Sequence, residues 1–461
     1  MPIIRSISGI RGTIGGNSND GLNPLNISLY TSAFAQWVKQ RYPKTKCKVA
    51  VGRDARISGE MVNQIVVGTL LGCGIDVIDL GLATTPTVEM AVVEENAQGG
   101  IIITASHNPR NWNALKLLNE KGEFLSDLDG KTILNLAEGD EIIFSQVDDL
   151  GTVISNYDFT DRHIEKILQL KLVDKEAITK ANFRIAIDCV NSVGGIAIPR
   201  LLKALGVNDI IELYTDPTGE FPHNPEPLPE HLAEISSTVV NHKADVGFVV
   251  DPDVDRLAIV NEDGTMFGEE YTLVAVADYI LSYNPGNTVS NLSSTAALRD
   301  ITHKHGGKFF ASAVGEVNVV AMMKEYDAVI GGEGNGGVIY PDSHYGRDAL
   351  VGIALFLSHL AKSKLNCSDL RKTYTNYYIS KNKIEFSPTI NADEILGKLK
   401  EHFSSKNINT IDGLRVDFEE GWIHMRKSNT EPIIRIYAES KTEEMANKMA
   451  LSIVELIKNW M

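Results

Sequence analysis

The sequence predicts an α/β protein with three similar mixed-sheet α/β domains and a smaller C-terminal α+β domain. Three observations favour this fold class. Strand-like and helix-like segments alternate from residue 48 onward, which is typical of mostly parallel, helix-covered sheets. The alternation restarts twice along the chain. The last ~90 residues instead bunch several strand-like runs between helical segments, a pattern typical of a small α+β domain.

The first domain has the clearest alternation. Residues 48–51 predict a strand, and Ser58 is a candidate N-cap for a helix that runs toward Leu71 and ends at Gly72 and Gly74. The other elements predicted in this domain are a strand at residues 75–80, a helix that opens at Thr85, and a strand at residues 100–104.

The second and third domains repeat this pattern. A strand at residues 183–188 precedes a turn at 191–195 and a helix that ends at Gly206, and another strand follows at 245–250. The third repeat begins near Tyr271, and its predicted strands include residues 308–311 and 328–331.

The C-terminal domain completes the predicted organisation. Its predicted strands are residues 384–386, 414–418, 422–426 and 433–437, and its predicted helices are 392–403 and 441–458. We therefore place domains at residues 1–155, 156–256, 257–372 and 373–461, with the acidic, polar stretch 138–149 in a connection near the first boundary.

The charge balance limits the kinds of partner. Among 461 residues there are 44 Lys and Arg and 60 Asp and Glu, which gives a formal net charge of −16. A surface this acidic repels polyanions, so we expect no nucleic-acid partner. It also repels small anions over long distances. Any anion site must therefore concentrate Arg, Lys and backbone N–H groups locally.

The cysteines and the N-terminus indicate the compartment. Cys47, Cys73, Cys189 and Cys367 are far apart and fit no metal or CxxC pattern, so we expect buried, reduced thiols and a cytoplasmic protein. The N-terminus has no secretory apolar region, and no apolar run approaches the ~20 residues that cross a bilayer. We expect no membrane partner, and the oligomeric state stays open.

Three aspartates alternate along one loop. Asp251, Asp253 and Asp255 can converge on a hard cation such as Mg²⁺, which prefers oxygen ligands. A calcium EF-hand loop is an alternative because Glu262 falls at its twelfth position. However, Arg256 stands where that loop needs Gly, and strand-like segments flank the loop where an EF-hand has helices. A solvated acidic turn is a further alternative.

A serine follows the strand at residues 100–104. Ser106, His107, Asn108 and Pro109 stand where ligands bind in open α/β sheets, at the carboxyl end of a strand. The G-x-S-x-G elbow of hydrolases is absent, so an acyl-transfer triad is poorly supported. A structural loop is the alternative. Lys116, ten residues beyond the serine, is a candidate proton carrier or phosphate contact, or else a solvated charge.

Two further loops are rich in ligand-binding residue types. Residues 331–337 carry five glycines around Glu333 and Asn335, which are natural partners for sugar hydroxyls or an amine. The alternative is a flexible hairpin. Residues 426–432 combine cations with short hydroxyl and amide groups that suit a phosphate dianion, and the alternative is a polar hairpin turn. The phosphate candidates are Arg426, Ser428, Asn429, Thr430 and nearby Arg435.

Together these four stretches resemble the α-D-phosphohexomutase family over essentially the whole chain and in the family's order. Ser106 in T-A-S-H-N-P resembles the phosphoserine loop, and the three aspartates with Arg256 resemble the metal loop. Residues 333–335 resemble the sugar-binding loop, and residues 426–430 resemble the phosphate-binding loop. Arg11 and Lys116 match further active-site positions.

The resemblance implies a reaction and an architecture. Phosphorylated Ser106 donates its phosphoryl group to a hexose monophosphate, and the bisphosphorylated sugar turns over and returns its other phosphate. One Mg²⁺ ion per chain is implied, held by the three aspartates and Ser106. Arg11, His107, Lys116 and Arg256 are the implied catalytic groups. The resemblance also implies that the C-terminal domain closes over a central cleft.

The sequence departs from the family pattern at two positions. Pro252 replaces a common Gly in the metal loop, which predicts a stiffer loop with the same ligands. Gly337 stands where many members have a His at the end of the sugar loop. If that His moves protons, the role here passes to Lys116, His107 or another group.

The preferred sugar predicted by the sequence is glucosamine phosphate. The sugar loop reads G-E-G-N-G-G rather than the G-E-M-S-G-H form of the family's mannose and glucose enzymes, and residues 315–319 resemble the phosphoglucosamine mutase branch. A phosphoglucomutase/phosphomannomutase is the alternative. More remote alternatives are a metal-dependent sugar phosphatase and a non-catalytic sugar-phosphate-binding protein.

Overall fold

The computed structural model describes residues 3–6, 9–17, 20–139, 142–385, 391–428 and 433–460. The chain divides into two compact units. Unit 1 comprises Met1–Thr272 and Asn335–Leu370, and unit 2 comprises Leu273–Gly334 and Arg371–Met461.

The first sheet of unit 1 is mixed. Its strands are β1 (Ile4–Ser6), β2 (Gly9–Thr13), β3 (Lys48–Arg53), β4 (Asp76–Leu82), β5 (Gly99–Ile103), β6 (Trp112–Leu118) and β7 (Val153–Ser155). They lie in the order β1-β2-β6-β5-β3-β4-β7. The predicted strands β3, β4 and β5 are confirmed and pair in parallel. β6 and β2 extend the sheet with antiparallel pairings, because β6 returns directly from the loop after β5.

Helices cover both faces of this sheet. They are α1 (Pro24–Arg41), α2 (Gly59–Gly72), α3 (Thr85–Glu94) and α4 (Asp127–Glu138). Val49 and Ile101 pack into one buried cluster with residues of α1, α2 and α4. Ala50 and Ile102 pack into another with α3. Alternate residues of a strand point to opposite faces, so each apolar strand serves two cores.

The predicted cap of α2 is wrong in its hydrogen bonding. Ser58 does precede the helix, but its backbone is in the right-handed helical region and its side chain makes no capping hydrogen bond. Its hydroxyl instead accepts a hydrogen bond from Asn113 Nδ2 at 2.9 Å. A cap requires an extended backbone that turns the side chain back over the helix end, and Ser58 lacks that conformation.

The second sheet of unit 1 carries the aspartate loop. The elements are α5 (Phe159–Gln169), α6 (Lys175–Ala181), β8 (Arg184–Asp188), α7 (Gly194–Ala204), β9 (Asp209–Leu213), α8 (Ala233–His242), β10 (Val246–Val250) and β11 (Leu257–Asn261). The strands lie in the order β11-β10-β8-β9. β10 and β11 pair antiparallel, so strands flank the aspartates as predicted, not the helices of an EF-hand.

The chain then passes through unit 2 and returns to unit 1. The elements are α9 (Glu269–Tyr283), β12 (Asn287–Asn291), α10 (Ala296–Lys304), β13 (Phe309–Ser312), α11 (Glu316–Glu325), β14 (Ala328–Glu333), β15 (Gly337–Ile339), α12 (Ala349–Ser363) and α13 (Cys367–Lys372). β12 pairs in parallel with β13 and β14 in unit 2. α12 is buried along most of its length in unit 1, where Phe356 packs against Phe248 and Phe267.

The C-terminal part of unit 2 is an antiparallel sheet with two helices. The elements are β16 (Tyr378–Glu385), α14 (Ala392–His402), β17 (Asn407–Asn409), β18 (Leu414–Asp417), β19 (Gly421–Lys427), β20 (Ile433–Ser440) and α15 (Glu443–Lys458). The strand order is β16-β20-β19-β18-β17. Apolar residues of α14 and α15 pack with those of the sheet in one core. The predicted α+β character of this region is confirmed.

Two smaller expectations also concern the fold. The four cysteines are free and buried, as predicted. Within the described ranges, no helix is both long enough and apolar enough to span a bilayer.

Candidate active site

Ser106 lies in unit 1, just beyond the carboxyl end of β5. Its backbone has a positive φ of 47°, which is uncommon for a residue with a side chain. The hydroxyl of Thr104 accepts a hydrogen bond from the Ser106 backbone N–H at 3.0 Å. The residue is 7% exposed. An unfavourable backbone conformation that surrounding contacts hold in place is typical of a functional position.

A buried arginine holds the serine loop in shape. Arg56 is 1% exposed and pairs with Asp54, with 3.2 Å between Nε and Oδ2. Its guanidinium donates hydrogen bonds to the backbone carbonyls of Ser106, Asn108, Pro109 and Trp112. No motif in the sequence predicted a role for Arg56. The available signal was its place shortly after β3, which lies beside β5 in the parallel part of the sheet.

The three aspartates converge in the loop between β10 and β11. Asp251, Asp253 and Asp255 are fully buried, and one oxygen from each lies within 4.8 Å of the others. Val254, between two of them, has a φ of +63°, which is an outlier for a β-branched residue. The loop is also pinned by a hydrogen bond from Ser192 Oγ to the carbonyl of Pro252 at 2.6 Å. The sequence prediction that the carboxylates converge is confirmed.

Each aspartate uses one oxygen to contact a neighbouring side chain. Asp251 Oδ2 accepts from Ser106 Oγ at 2.6 Å. Asp253 Oδ2 accepts from Thr85 Oγ1 at 2.6 Å and from Lys116 Nζ at 2.7 Å. In the described part of the chain, Oδ1 of Asp253 and Oδ1 of Asp255 are buried without a hydrogen-bond partner. Because buried carboxylate oxygens need partners, this donor set fits a hard divalent cation such as Mg²⁺.

The pKa values of these carboxyl groups differ because their surroundings differ. Burial, with the charges of Asp255 and Asp253, raises the pKa of Asp251 well above its ordinary value. Burial alone would also raise the pKa of Asp253, but Lys116 holds it well below its usual range. Burial disfavours a charged Lys116, yet Asp253 and Asp255 raise the pKa of its ammonium. Lys116 is therefore a fixed positive charge in this arrangement.

Arg347 is a second cation on the aspartate loop. Its Nη2 donates to Asp255 Oδ2 at 2.7 Å, and the residue is 9% exposed. A Cβ added to Gly337 would lie 2.3 Å from Arg347 Cδ, so the side chain of Arg347 needs a glycine at 337. No sequence pattern predicted Arg347, because it is 92 residues from its partner Asp255. The only hint in the sequence was Gly337, whose missing side chain leaves room for another residue beside the sugar loop.

Other predicted catalytic groups surround Ser106 and the aspartates. His107 Nδ1 lies 3.3 Å from Ser106 Oγ. Burial and the charge of Arg256 hold the pKa of His107 well below its ordinary value, so its ring is neutral. Arg11 lies on β2, where burial and the charge of Arg256 lower its pKa. Arg256 lies 3.7 Å from Glu226, measured from Nη1 to Oε1. Two mutually repelling guanidinium groups are typical of an anion site.

The predicted sugar-loop residues fall in different units. In unit 2, Glu333 is 6% exposed and its Oε1 accepts from Asn291 Nδ2 at 3.0 Å and from the Gly315 N–H at 3.1 Å. This contact joins the sugar loop to the 315–319 stretch singled out in the sequence. In unit 1, Asn335 Oδ1 accepts from the Gly337 N–H at 3.2 Å.

Basic side chains line up at one end of the C-terminal sheet. Arg426 on β19 lies directly opposite Arg435 on β20, which in turn lies opposite Lys383 on β16. Directly opposite side chains share a face, where like charges repel, so an anion would stabilise this row. The Ser428 N–H donates to the Ile433 carbonyl at 3.0 Å and closes the hairpin. The predicted phosphate-binding residues Asn429 and Thr430 lie outside the described residues.

Direct contacts therefore join Ser106, Lys116 and the three aspartates in unit 1, with Arg11, His107 and Arg256 around them. In unit 2, Glu333 and the Arg426–Arg435 pair lie on separate sheets.

Sequence models of the phosphoglucomutase/phosphomannomutase family match the chain in four consecutive regions. The models of α/β/α domains I, II and III match residues 3–142, 161–264 and 268–377, respectively. The model of the C-terminal domain matches residues 381–456. Together the matches include Ser106, the aspartate loop and Arg426.

Two curated relatives are similar over most of their length. A phosphoglucomutase/phosphomannomutase of Thermococcus kodakarensis is 35% identical over 443 residues, covering 95% of this chain and 96% of the relative. A phosphoglucosamine/phosphogalactosamine mutase of Sulfurisphaera tokodaii is 32% identical over 429 residues, covering 89% and 91%.

A solved structure has the same fold. The phosphoglucomutase/phosphomannomutase family protein of Burkholderia thailandensis superposes with a TM-score of 0.84 at 27% identity, covering 99% of this chain and 98% of that one. The four domain matches, the relatives and this shared fold agree with one another. The chain therefore belongs to the phosphoglucomutase/phosphomannomutase family of α-D-phosphohexomutases and is an isomerase.

Proposed function

We propose that Ser106, in its phosphorylated form, is the phosphoryl donor in a 1,6-phosphosugar mutase reaction. The observation that carries this proposal is the 2.6 Å contact of Ser106 Oγ with Asp251 among three buried carboxylates. The bond between phosphorus and Ser106 Oγ breaks, and a bond to the free hydroxyl of a hexose monophosphate forms. The bisphosphorylated sugar then turns over and returns its other phosphoryl group to Ser106.

The neighbouring side chains supply the charge and the proton transfer. Asp251, Asp253 and Asp255 would hold one Mg²⁺, which supplies positive charge against the transferring phosphoryl group. Lys116 and Arg256 add fixed positive charge beside it. The proton of the attacking hydroxyl ends on Ser106 Oγ, which the broken bond to phosphorus frees, and neutral His107, with Nδ1 3.3 Å from that oxygen, holds it in place. Arg11 contributes to binding of the anionic substrate.

We assign the remaining predicted residues to substrate binding. The row containing Arg426 and Arg435, with Ser428, Asn429 and Thr430, would bind the phosphate that is not reacting. Glu333 and Asn335 would contact the sugar. Each predicted domain would then have one role. The phosphoserine would belong to residues 1–155, the metal to 156–256, the sugar to 257–372 and the phosphate to 373–461. The four free cysteines support a reducing, cytoplasmic compartment.

The proposed substrate is glucosamine 6-phosphate, converted to glucosamine 1-phosphate. Glu333 supports this choice because a buried carboxylate can pair with a 2-ammonium group. The name of the Sulfurisphaera tokodaii relative also supports it. The name of the Thermococcus kodakarensis relative favours the second candidate, a phosphoglucomutase/phosphomannomutase.

A comparison of sugars decides between these two candidates. We expect kcat/KM for glucosamine 1-phosphate to exceed the values for glucose 1-phosphate and mannose 1-phosphate under one assay condition. The difference should be modest, because a single hydrogen bond usually separates two substrates by only about 1 kcal/mol, which is less than tenfold. Glu333→Gln should reduce this preference, because it should lower kcat/KM for the amino sugar more than for the neutral sugars. A tenfold preference for either neutral sugar would assign the second candidate.

We expect Arg426→Ala to weaken substrate binding while leaving the phosphoryl group on Ser106. Loss of one guanidinium from a phosphate site should raise KM by roughly tenfold or more. Steady-state kinetics measure the change, and intact mass measures the phosphorylation. Lys441→Ala, an exposed change in the same unit, is the control. Unchanged kinetics in Arg426→Ala would contradict the assignment of a phosphate clamp.

We also expect Gly337→Ala and Arg347→Ala to reduce kcat by a similar factor, on the order of 10²-fold. A methyl group at 337 would displace the Arg347 side chain from Asp255. Because both changes break one contact, the double variant should be little worse than either single variant. Gly68→Ala is the control, since a Cβ there meets open space. Full additivity would show that Gly337 does not act through Arg347.

A further inference from the structure

A second group of potential metal ligands lies in unit 1, apart from the aspartate loop. His163 is on α5, His344 is in the segment before α12, and Asp348 is the N-cap of α12. Asp348 Oδ2 lies 2.9 Å from His163 Nε2 and 3.1 Å from His344 Nε2. The side chains of His163 and Asp348 are 1% exposed, and that of His344 is 12% exposed. Two imidazole nitrogens therefore face one buried carboxylate oxygen.

The other nitrogen of each imidazole also has a partner. His163 Nδ1 lies 3.0 Å from Thr87 Oγ1, and His344 Nδ1 lies 3.2 Å from Glu89 Oε2. Both partners belong to α3. In metal sites the nitrogen that does not bind the metal is usually held by a carboxylate, carbonyl or hydroxyl, which fixes the orientation of the ring. Thr87 is within hydrogen-bond distance of the His163 ring, and Glu89 is within ion-pair distance of the His344 ring.

The charges in this cluster also favour a divalent cation. Asp348 and Glu89 are two buried carboxylates that face the two imidazoles, and uncompensated negative charge is costly in a dry environment. A divalent cation bound by two neutral imidazoles would balance Asp348 and Glu89 in full.

We propose that His163, His344 and Asp348 bind a transition-metal ion of the Zn²⁺ type, with Glu89 and Thr87 orienting the two imidazoles. Nitrogen ligands select Zn²⁺ over Mg²⁺, whereas the all-oxygen aspartate loop has the opposite preference. The two sites would therefore bind two different metals selectively within one chain.

The position of the cluster gives this metal a structural role. Its ligands and their partners join α3, α5 and the start of α12. α3 begins at Thr85, which hydrogen-bonds Asp253, and Asp348 follows Arg347, which hydrogen-bonds Asp255. A metal at the cluster would tie together the elements that hold two of the three aspartates.

The test measures zinc in the full-length protein. Chelator-stripped protein is loaded with Zn²⁺ in excess Mg²⁺, dialysed against Mg²⁺ buffer, and analysed for its elements. We expect the wild type to retain equimolar zinc, and His163→Gln and His344→Gln to lose it. Glu89→Gln should weaken zinc binding roughly 10–100-fold. Asp348→Asn should also lose zinc, although Asn remains a good N-cap, so the helix start is preserved.

Two controls locate the metal. His305→Gln, which disrupts a single His–Asp pair in unit 2, should retain zinc. Asp253→Asn should also retain it, because Asp253 is not one of the proposed zinc ligands and the amide keeps an oxygen for the hydrogen bond from Thr85. Loss of zinc in Asp253→Asn but not in His344→Gln would overturn the proposal.

Co²⁺ binding to the wild type provides a measurement that needs no variant. We expect an intense visible absorption band, typical of a tetrahedral site with imidazole ligands, which Zn²⁺ displaces. The same preparations should show a higher Tm with Zn²⁺ than without it. Only weak, octahedral Co²⁺ absorption, or no zinc in the dialysed wild type, would mean that the cluster is a hydrogen-bonded imidazolium clamp. Mutase activity is assayed separately, so failure of this proposal leaves the proposed function untouched.

Discussion

Ser106→Ala should lower mutase kcat by more than about 10³-fold, because the covalent phosphoryl carrier is lost while binding groups remain. Intact-mass analysis and peptide mapping after incubation with a hexose 1,6-bisphosphate should find a phosphoryl group on Ser106 in the wild type. The variant should show none. Its fold should persist, since alanine keeps the Cβ at this strained position and Arg56 binds only the backbone of residue 106.

The control for this experiment is Ser237→Ala, an exposed serine on α8 whose hydroxyl bonds only its own helix. Activity and phosphorylation should match the wild type there. Retention of full activity by Ser106→Ala would exclude the phosphoserine mechanism. If peptide mapping instead found the phosphoryl group on another residue, that residue would be the carrier, and the proposed mutase reaction would still stand.

Asp253→Asn should lower kcat by roughly 10²–10³-fold and raise the Mg²⁺ concentration needed for half-maximal activity. The amide keeps an oxygen for the hydrogen bond from Thr85, so the loop should hold its shape. It removes the negative charge that a cation and Lys116 both require. Turnover should stop in excess chelator and return when Mg²⁺ is restored.

The Mg²⁺ titration should be compared with that of Asp216→Asn, which changes an exposed aspartate beyond β9. That variant should behave as the wild type and thereby exclude a general effect of charge. Circular dichroism and Tm measurements separate loss of metal from loss of fold. Wild-type turnover in excess chelator, or an unchanged Mg²⁺ requirement in Asp253→Asn, would contradict the assignment of the aspartates.

Local patterns were sufficient for much of the fold and for part of the site. The apolar strands at 48–51 and 100–104 formed as predicted, because strand periodicity and flanking glycines depend on near neighbours in the chain. The convergence of Asp251, Asp253 and Asp255 followed in the same way from their alternate spacing between two strands. Periodicity did not specify the antiparallel additions at β2 and β6, since a strand carries no local mark of its partner's direction.

The sequence by itself determined which residues carry chemical groups: a serine after a strand, three alternating aspartates, and two basic or glycine-rich loops. Only the tertiary structure decided which groups meet. Ser106 contacts Asp251 across 145 residues, Lys116 contacts Asp253 across 137, and Arg347 contacts Asp255 across 92. These contacts depend on how separate sheets pack within unit 1, and no short-range pattern encodes them. The charges of Asp253 and Asp255 then keep Lys116 protonated against the effect of burial, while burial and the charge of Arg256 keep His107 neutral.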